Sequence, residues 1–242
     1  MAIKGSRTAA ASNSENKRIS RYKHSEEEQA LKQVLLKAYN DNQREYLKAL
    51  GAEQQIIVTG FSGTGKTFMA ATHAANLYLA KKIGKIVVTR PNVSVGNELG
   101  FFPGDINEKF APWAAPVMDV LTKHLGAGTV ESGIKHKNIE MAPLSTMRGR
   151  SFDNAFVILD EAQNTTIGEM KMFLTRIGKN TKVVINGDIL QSDINCTSGL
   201  AKIISMAKKY EMNIPIIEFG VDDIVRSDIC KQWIVAFNRE KL

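Results

Sequence analysis

The run Gly60-Phe61-Ser62-Gly63-Thr64-Gly65-Lys66-Thr67 follows directly on the apolar stretch Ile56-Ile57-Val58-Thr59, and it limits the possible folds more than any other feature. It fits G-x-x-x-x-G-K-[ST] in the strand–loop–helix context that the pattern needs. Glycines let consecutive backbone N–H groups turn inward as a concave nest for phosphate oxygens. A helix starting near Gly65 adds the positive end of its dipole. Lys66 would reach the β- and γ-phosphates, and the Thr67 hydroxyl would ligate Mg²⁺. The expectation is a bound nucleoside triphosphate, held by Gly60, Ser62, Gly63, Thr64, Gly65, Lys66, Thr67 and Phe68.

The 242 residues, 43% hydrophobic, suffice for one α/β domain with a sizeable core plus appendages. No apolar run approaches the roughly 18 residues of a membrane span, and the amino terminus has no apolar signal core, so a cytoplasmic protein is expected. Cys196 and Cys230 are too few and too isolated for a disulfide framework or a zinc site, and His24, His73, His124 and His136 show no ligand spacing with them. The net charge of +7 is uneven. Residues 1–24 hold Lys4, Arg7, Lys17, Arg18, Arg21 and Lys23 against Glu15, a net +5, which leaves +2 for the rest. This Ser/Ala/Asn-rich tail should be disordered. It either holds nucleic-acid phosphates weakly or is a solvated leader.

From residue 25 onward a single RecA-like domain is expected. Residues 26–50 read as helical, with Leu31, Val34, Leu35, Ala38 and Tyr39 and then Tyr46, Leu47 and Leu50 at three- and four-residue steps, ended by Gly51. Beyond it, strands are expected at 55–59, 85–89, 138–142, 155–160, 182–187 and 214–219. Helices are expected near 65–81, 166–178, 198–209 and 222–237. This alternation, with near-continuous Val/Ile strands, implies a parallel sheet covered on both faces. Residues 91–137 interrupt the rhythm with Pro91, Pro103, Pro112 and Pro116, a Gly-rich turn near 126–128, and an amphipathic stretch from Ile106 to Leu125. An insertion this long either serves function or is a covering helix pair.

Polar groups recur where strands end. Ala155-Phe156-Val157-Ile158-Leu159 runs into Asp160-Glu161, where Asp160 suits the Mg²⁺ shell and Glu161 suits a general base on the attacking water. The second carboxylate favours hydrolysis over simple binding. Val183-Val184-Ile185-Asn186 runs into Gly187-Asp188-Ile189-Leu190-Gln191, and Gln191 suits contact with the γ-phosphate or its water. With Thr89-Arg90-Pro91, these clusters should line one crevice at the carboxyl edge of the sheet.

The set resembles motifs I, Ia, II and III of superfamily 1 helicases. More narrowly, Arg90-Pro91, Leu99-Gly100-Phe101-x-Pro103-Gly104-Asp105, Met147-Arg148-Gly149-Arg150-Ser151-Phe152, Asp160-Glu161-Ala162-Gln163-Asn164-Thr165-Thr166, Met170-Lys171-Met172-Phe173-Leu174-Thr175-Arg176 and Asp223-Ile224-Val225-Arg226 resemble the PhoH-like (phosphate-starvation-inducible) family. The resemblance implies a RecA-like P-loop ATPase core, Mg-ATP as ligand, a role on single-stranded RNA (or DNA), and ring-shaped oligomers, hexamers foremost. Gln43 resembles the helicase Q motif that reads the adenine edge. Arg226 resembles the family's C-terminal arginine, although Ser227 stands where a His usually follows. An arginine finger stabilises the charge on a transferring γ-phosphoryl. With one core domain in the chain, Arg226 or Arg176 is expected to be donated by a neighbour. Arg148 and Arg150 either line the ring and contact phosphates or form structural salt bridges.

Two readings remain open: an Mg²⁺-dependent ATPase coupled to single-stranded nucleic acid, and a nucleotide-gated regulatory or assembly protein with no strand-separating role. A small-molecule kinase fits poorly, because it needs no base aimed at water. A GTPase fits poorly too, because no Asn-Lys-x-Asp run is present.

Overall fold

The apolar runs that end in polar turns become six parallel strands. The computed structural model describes residues 33–91, 106–194 and 196–240, with residues 106–111 by backbone alone. The basic tail, the start of the expected first helix and the run 99–105 lie outside the described residues. From Val34 onward the chain forms one compact unit.

The elements, in chain order, are α1 (Asp41–Ala52), β1 (Gln55–Gly60), α2 (Lys66–Leu79), β2 (Lys85–Arg90), α3 (Ile106–Leu125), α4 (Ala127–Lys135), β3 (Ile139–Pro143), β4 (Ala155–Leu159), α5 (Ile167–Leu174), β5 (Lys182–Gly187), α6 (Gly199–Lys209), β6 (Ile216–Phe219) and α7 (Asp228–Glu240). The strand order is β3-β2-β4-β5-β1-β6, and every pairing is parallel. Alternate strand residues feed two cores. Ile56, Val58, Val88, Ile158 and Val184 pack under α1, α2 and α3, while Ile57, Val87, Val157, Leu159 and Ile185 pack under α5 and α6. This is the doubly covered, RecA-like α/β sheet that continuous Val/Ile strands predict. No helix among the described residues is long and apolar enough to cross a membrane.

The boundaries differ from expectation where side chains capture backbone. Residues 33–38 carry a helical pattern but no helix. The Asn76 side chain on α2 grips Val34 at both ends, accepting from its N–H (2.9 Å) and donating to its carbonyl (2.8 Å). The helix begins only after Asn40, whose side chain accepts the Gln43 N–H at 2.7 Å. The expected helix at 166–178 stops at Leu174. A Cβ on Gly178 would lie 2.6 Å from the Phe152 carbonyl oxygen, so the chain passes too close to the segment leading into β4 for a continued helix. The expected helix from 222 starts at Asp228, because Asp223 instead accepts from the Gly220 N–H and from Asn42 Nδ2, each at 2.7 Å. The Gly-rich turn near 126–128 is confined to Gly126, and α4 begins at Ala127. Pro112 and Pro116 both lie inside α3.

Arg150 takes the structural alternative. Its guanidinium meets Glu140 on edge strand β3 at 2.5 and 2.7 Å, and Lys85 meets the same carboxylate at 2.8 Å. Burial opposes the charge of Glu140, but hydrogen bonds from Arg150 and Lys85 outweigh it and hold the carboxyl at about 2. The folded-state value lies below the unfolded one, so the stabilisation is fully present above about pH 4.5 and is lost as pH falls towards 2. Arg150→Ala is expected to cost about 1–2 kcal/mol at neutral pH and to flatten the acid limb of stability, read by urea denaturation at several pH values.

Candidate functional site

The carboxyl ends of β1, β2, β4 and β5 surround one cavity of about 360 Å³, lined by Ser62–Phe68, Arg90, Asp160, Glu161, Gly187, Asp188, Gln191 and Arg226 together with Pro116 and Val120 of α3. The crevice expected at the sheet's carboxyl edge is therefore present.

The loop from β1 to α2 turns back on itself. Gly63 has φ +79°, and a Cβ there would lie 2.7 Å from Arg226 Cγ, so glycine is required both for the turn and for the crossing side chain. Lys66 Nζ donates to the carbonyls of Gly60 (2.6 Å) and Phe61 (2.7 Å). Burial lowers the Lys66 pKa, while the charges of Asp188, Asp160 and Glu161 pull it back up. The ammonium thus sits folded onto its own loop, close to three carboxylates. Thr67 Oγ1 donates to Asp160 Oδ1 at 2.9 Å, which brings together the two residues expected at the metal.

Burial pushes the Asp160 carboxyl up, as does the neighbouring Glu161, and the Thr67 hydrogen bond with Arg90 and Lys66 only partly offsets this. Asp188 is likewise raised, by burial first and by Glu161, against the Leu190 N–H and Lys66. Its Oδ2 is buried without a hydrogen-bond partner among the described residues. Such crowded carboxylates suit a divalent cation. Among the described residues no group of three or more His, Cys, Asp or Glu is arranged to enclose a metal directly. Mg²⁺ needs none, since it keeps waters and phosphate oxygens in its shell. Thr67 and Asp160 therefore fit it.

Glu161 has φ +52°, a left-handed conformation that costs a non-glycine residue roughly 1–2 kcal/mol. Its carboxylate is held from two sides, by Arg90 Nη2 at 3.0 Å and by Gln163 Nε2 at 2.6 Å. Gln163 is a buried junction. Its Oε1 accepts the Asp188 N–H (3.0 Å), and its Nε2 also approaches the Gln191 carbonyl at 3.3 Å. Gln191 itself is exposed at the cavity rim.

Gln43 and Arg226 both lie against the phosphate loop. Gln43 is buried behind the loop, where its Nε2 donates to the Thr64 carbonyl (3.0 Å) and its Oε1 accepts the Tyr39 N–H (2.8 Å). The amide expected at the adenine edge braces the phosphate loop, and Gln43 also lines a hollow beside Gly63 and Gly65. Arg226 lies over its own chain's Gly63, where the Val225 N–H donates to the Gly63 carbonyl at 3.0 Å, and its exposed side chain lines the cavity. Arg176 lies beyond the amino ends of β4 and β5, the edge opposite the cavity, with its carbonyl accepting the Phe152 N–H at 3.0 Å. The sequence places Arg90 and Asp188 on the crevice without assigning either a contact, and it singles out Gln163 only within the family resemblance. Their signal lies in polar residues that close buried strands, but their mutual contacts depend on strand order.

The PhoH-like protein family matches residues 35–238, which takes in the loop, both carboxylates and Arg226. The chain belongs to the PhoH-like family. Protein PhoH of Escherichia coli (strain K12) is 45% identical over 205 residues, 83% of this chain and 58% of that protein. The PhoH-like protein of Bacillus subtilis (strain 168) is 43% identical over 200 residues, 82% of this chain and 62% of that one. This PhoH-like chain thus spans about three-fifths of the length of these curated relatives. Among solved structures, the Pif1 helicase from Candida albicans aligns with a TM-score of 0.44 at 15% identity, over 86% of this chain and 44% of that one.

Proposed function

We propose that this PhoH-like chain is an Mg²⁺-dependent ATPase whose turnover is coupled to binding or remodelling single-stranded nucleic acid, RNA foremost. One observation carries the reading: Thr67 hydrogen-bonded to Asp160, with Glu161 and the half-buried Lys66, in a single cavity at the sheet's carboxyl edge. Nucleotide binding alone needs the lysine and the metal ligand, whereas a further carboxylate beside them suits proton abstraction from water.

In this reading the loop N–H groups and Lys66 bind the β- and γ-phosphates, with Lys66 exchanging its loop carbonyls for phosphate oxygens. Bound through Thr67 and Asp160, Mg²⁺ would neutralise the phosphate charge. Glu161 takes the proton of the attacking water, and Gln191 meets the γ-phosphate or that water at the rim. Beside Gly63 and Gly65 lies an apolar hollow of about 660 Å³ lined by Leu35, Tyr39, Phe68 and Val225, which suits the base. The position of Arg176 on the edge opposite the cavity is compatible with a finger donated between molecules of a head-to-tail ring, and Arg226, which lines the cavity, is the other candidate.

Support for nucleic acid comes from family membership and from the net charge of +7. The second reading, a nucleotide-gated assembly protein, draws on α7, where Ile229, Trp233 and Phe237 are exposed along one face and the Trp233 and Phe237 rings stack at 5.7 Å. Steady-state ATP hydrolysis with and without single-stranded RNA or DNA, alongside mass in solution, separates the two. Stimulation that fades with salt is expected. Turnover unchanged by either strand, with an assembly state that follows the nucleotide, would favour the second reading.

A further inference from the structure

Arg90 ends β2 with its guanidinium divided between two elements. Nη2 pairs with Glu161 Oε1 at 3.0 Å, while Nη1 donates to the Trp113 carbonyl of α3 at 3.0 Å. The same guanidinium lies 5.8 Å over the Trp113 ring. Pro116 has no N–H for the carbonyl four residues back, and its ring crowds the helix at this turn. The adjoining carbonyl of Trp113 faces the arginine there.

The other oxygen of Glu161 accepts from Gln163, so both carboxylate oxygens are turned towards protein donors. Arg90 also lines the phosphate cavity with Lys66 and Arg226, as do Pro116 and Val120 of α3. A guanidinium binds a phosphate at least as readily as a carboxylate, through the same planar fork. The terminal phosphate of a bound triphosphate would therefore compete with Glu161 for Arg90. A diphosphate, which lacks that group, would not.

We propose that Arg90 is a positioning residue that holds Glu161 at rest and releases it when the γ-phosphate takes the guanidinium. Through Trp113, the same exchange reports the triphosphate state to α3. This rests on the nucleotide reading above. It adds that the base is engaged only when a γ-phosphate is present, and that α3 senses the exchange. Once freed from Arg90, the Glu161 carboxylate can turn to the water and accept its proton as the water oxygen bonds to the γ-phosphorus and the ADP oxygen leaves.

Trp113 supplies the readout. The chain has two tryptophans, so Trp233→Phe leaves Trp113 as the sole tryptophan, excited selectively over the tyrosines. In that background, nucleotide binding is measured by calorimetry while Trp113 emission is followed with Mg-ADP and with a non-hydrolysable Mg-ATP analogue. The analogue is expected to change emission and ADP to leave it nearly unchanged. Arg90→Lys keeps the charge but lacks the fork. It should bind the analogue within about threefold of the parent, lose the emission change and lower kcat by about tenfold or more with KM little altered. Glu161→Gln should keep the emission change. Equal emission changes with ADP and the analogue, or a full change retained in Arg90→Lys, would overturn the role of Arg90 while leaving ATPase activity intact. Absence of nucleotide binding in the parent would instead overturn the nucleotide reading, and this proposal with it.

Discussion

Glu161→Gln is expected to bind Mg-ATP as tightly as the parent or a few-fold tighter, and to hydrolyse it about 10²–10⁴-fold more slowly. The two effects have separate causes. Gln keeps the size of the side chain and an acceptor for Gln163 Nε2, and it is no worse suited than Glu to the left-handed backbone at this position. The fold should therefore survive. The substitution also removes one of the charges that push the Asp160 carboxyl up, and frees Arg90 from its ion pair. Both changes favour a polyanionic ligand in the cavity. On the proposed reading, what is lost is the group that takes the proton from water. Single-turnover hydrolysis measured beside equilibrium binding checks the separation. Turnover at the parent rate would show that another group is the base, and Asp188, with its unpartnered oxygen in the same cavity, would be examined next.

The contacts made by Arg90 and Glu161 show which parts of the site are legible in sequence. The phosphate loop and both strand-end carboxylates announce themselves, because a short buried run must end where the chain turns to solvent. All six strands fall where the Val/Ile runs predict, to within two residues. That Arg90 meets Glu161 depends on β2 lying beside β4, with Thr89 opposite Leu159 in register, and sheet order is set by packing across the whole chain. Arg226 reaches Gly63 for the same reason, since β6 adds to the free edge of β1. The amphipathic pattern of Val34–Tyr39 misleads because local periodicity carries no record of Asn76, which lies 42 residues on and captures the backbone of Val34. Gln43 lies against the phosphate loop, and the direction of its amide is decided by the Thr64 carbonyl of the loop it supports.

Lys66→Ala is expected to weaken nucleotide binding by about 10–100-fold, the loss of a charge-assisted hydrogen bond to phosphate. It should also lower kcat by about 10²–10³, since on the proposed reading the same ammonium stabilises charge developing on the transferred group. The folded state should tolerate the change, because opposing effects meet at this residue. Burial already disfavours the charged ammonium, so its removal relieves a desolvation cost. Against that, the carbonyls of Gly60 and Phe61 lose their donor, and Asp160, Glu161 and Asp188 lose a nearby positive charge. Water can reach the open loop and replace the donor, and Arg90 still faces the carboxylates. A Tm within a few degrees of the parent, measured without nucleotide, would separate the functional loss from unfolding. The stabilisation that Mg-ATP gives the parent should shrink in the variant by up to about 1.4–2.7 kcal/mol, because a ligand that binds only the folded state stabilises it by RT ln(1 + [L]/Kd). If instead the variant kept both the thermal shift and the turnover, phosphate binding at this loop would not depend on Lys66, and the assignment of the cavity as the nucleotide site would fail with it.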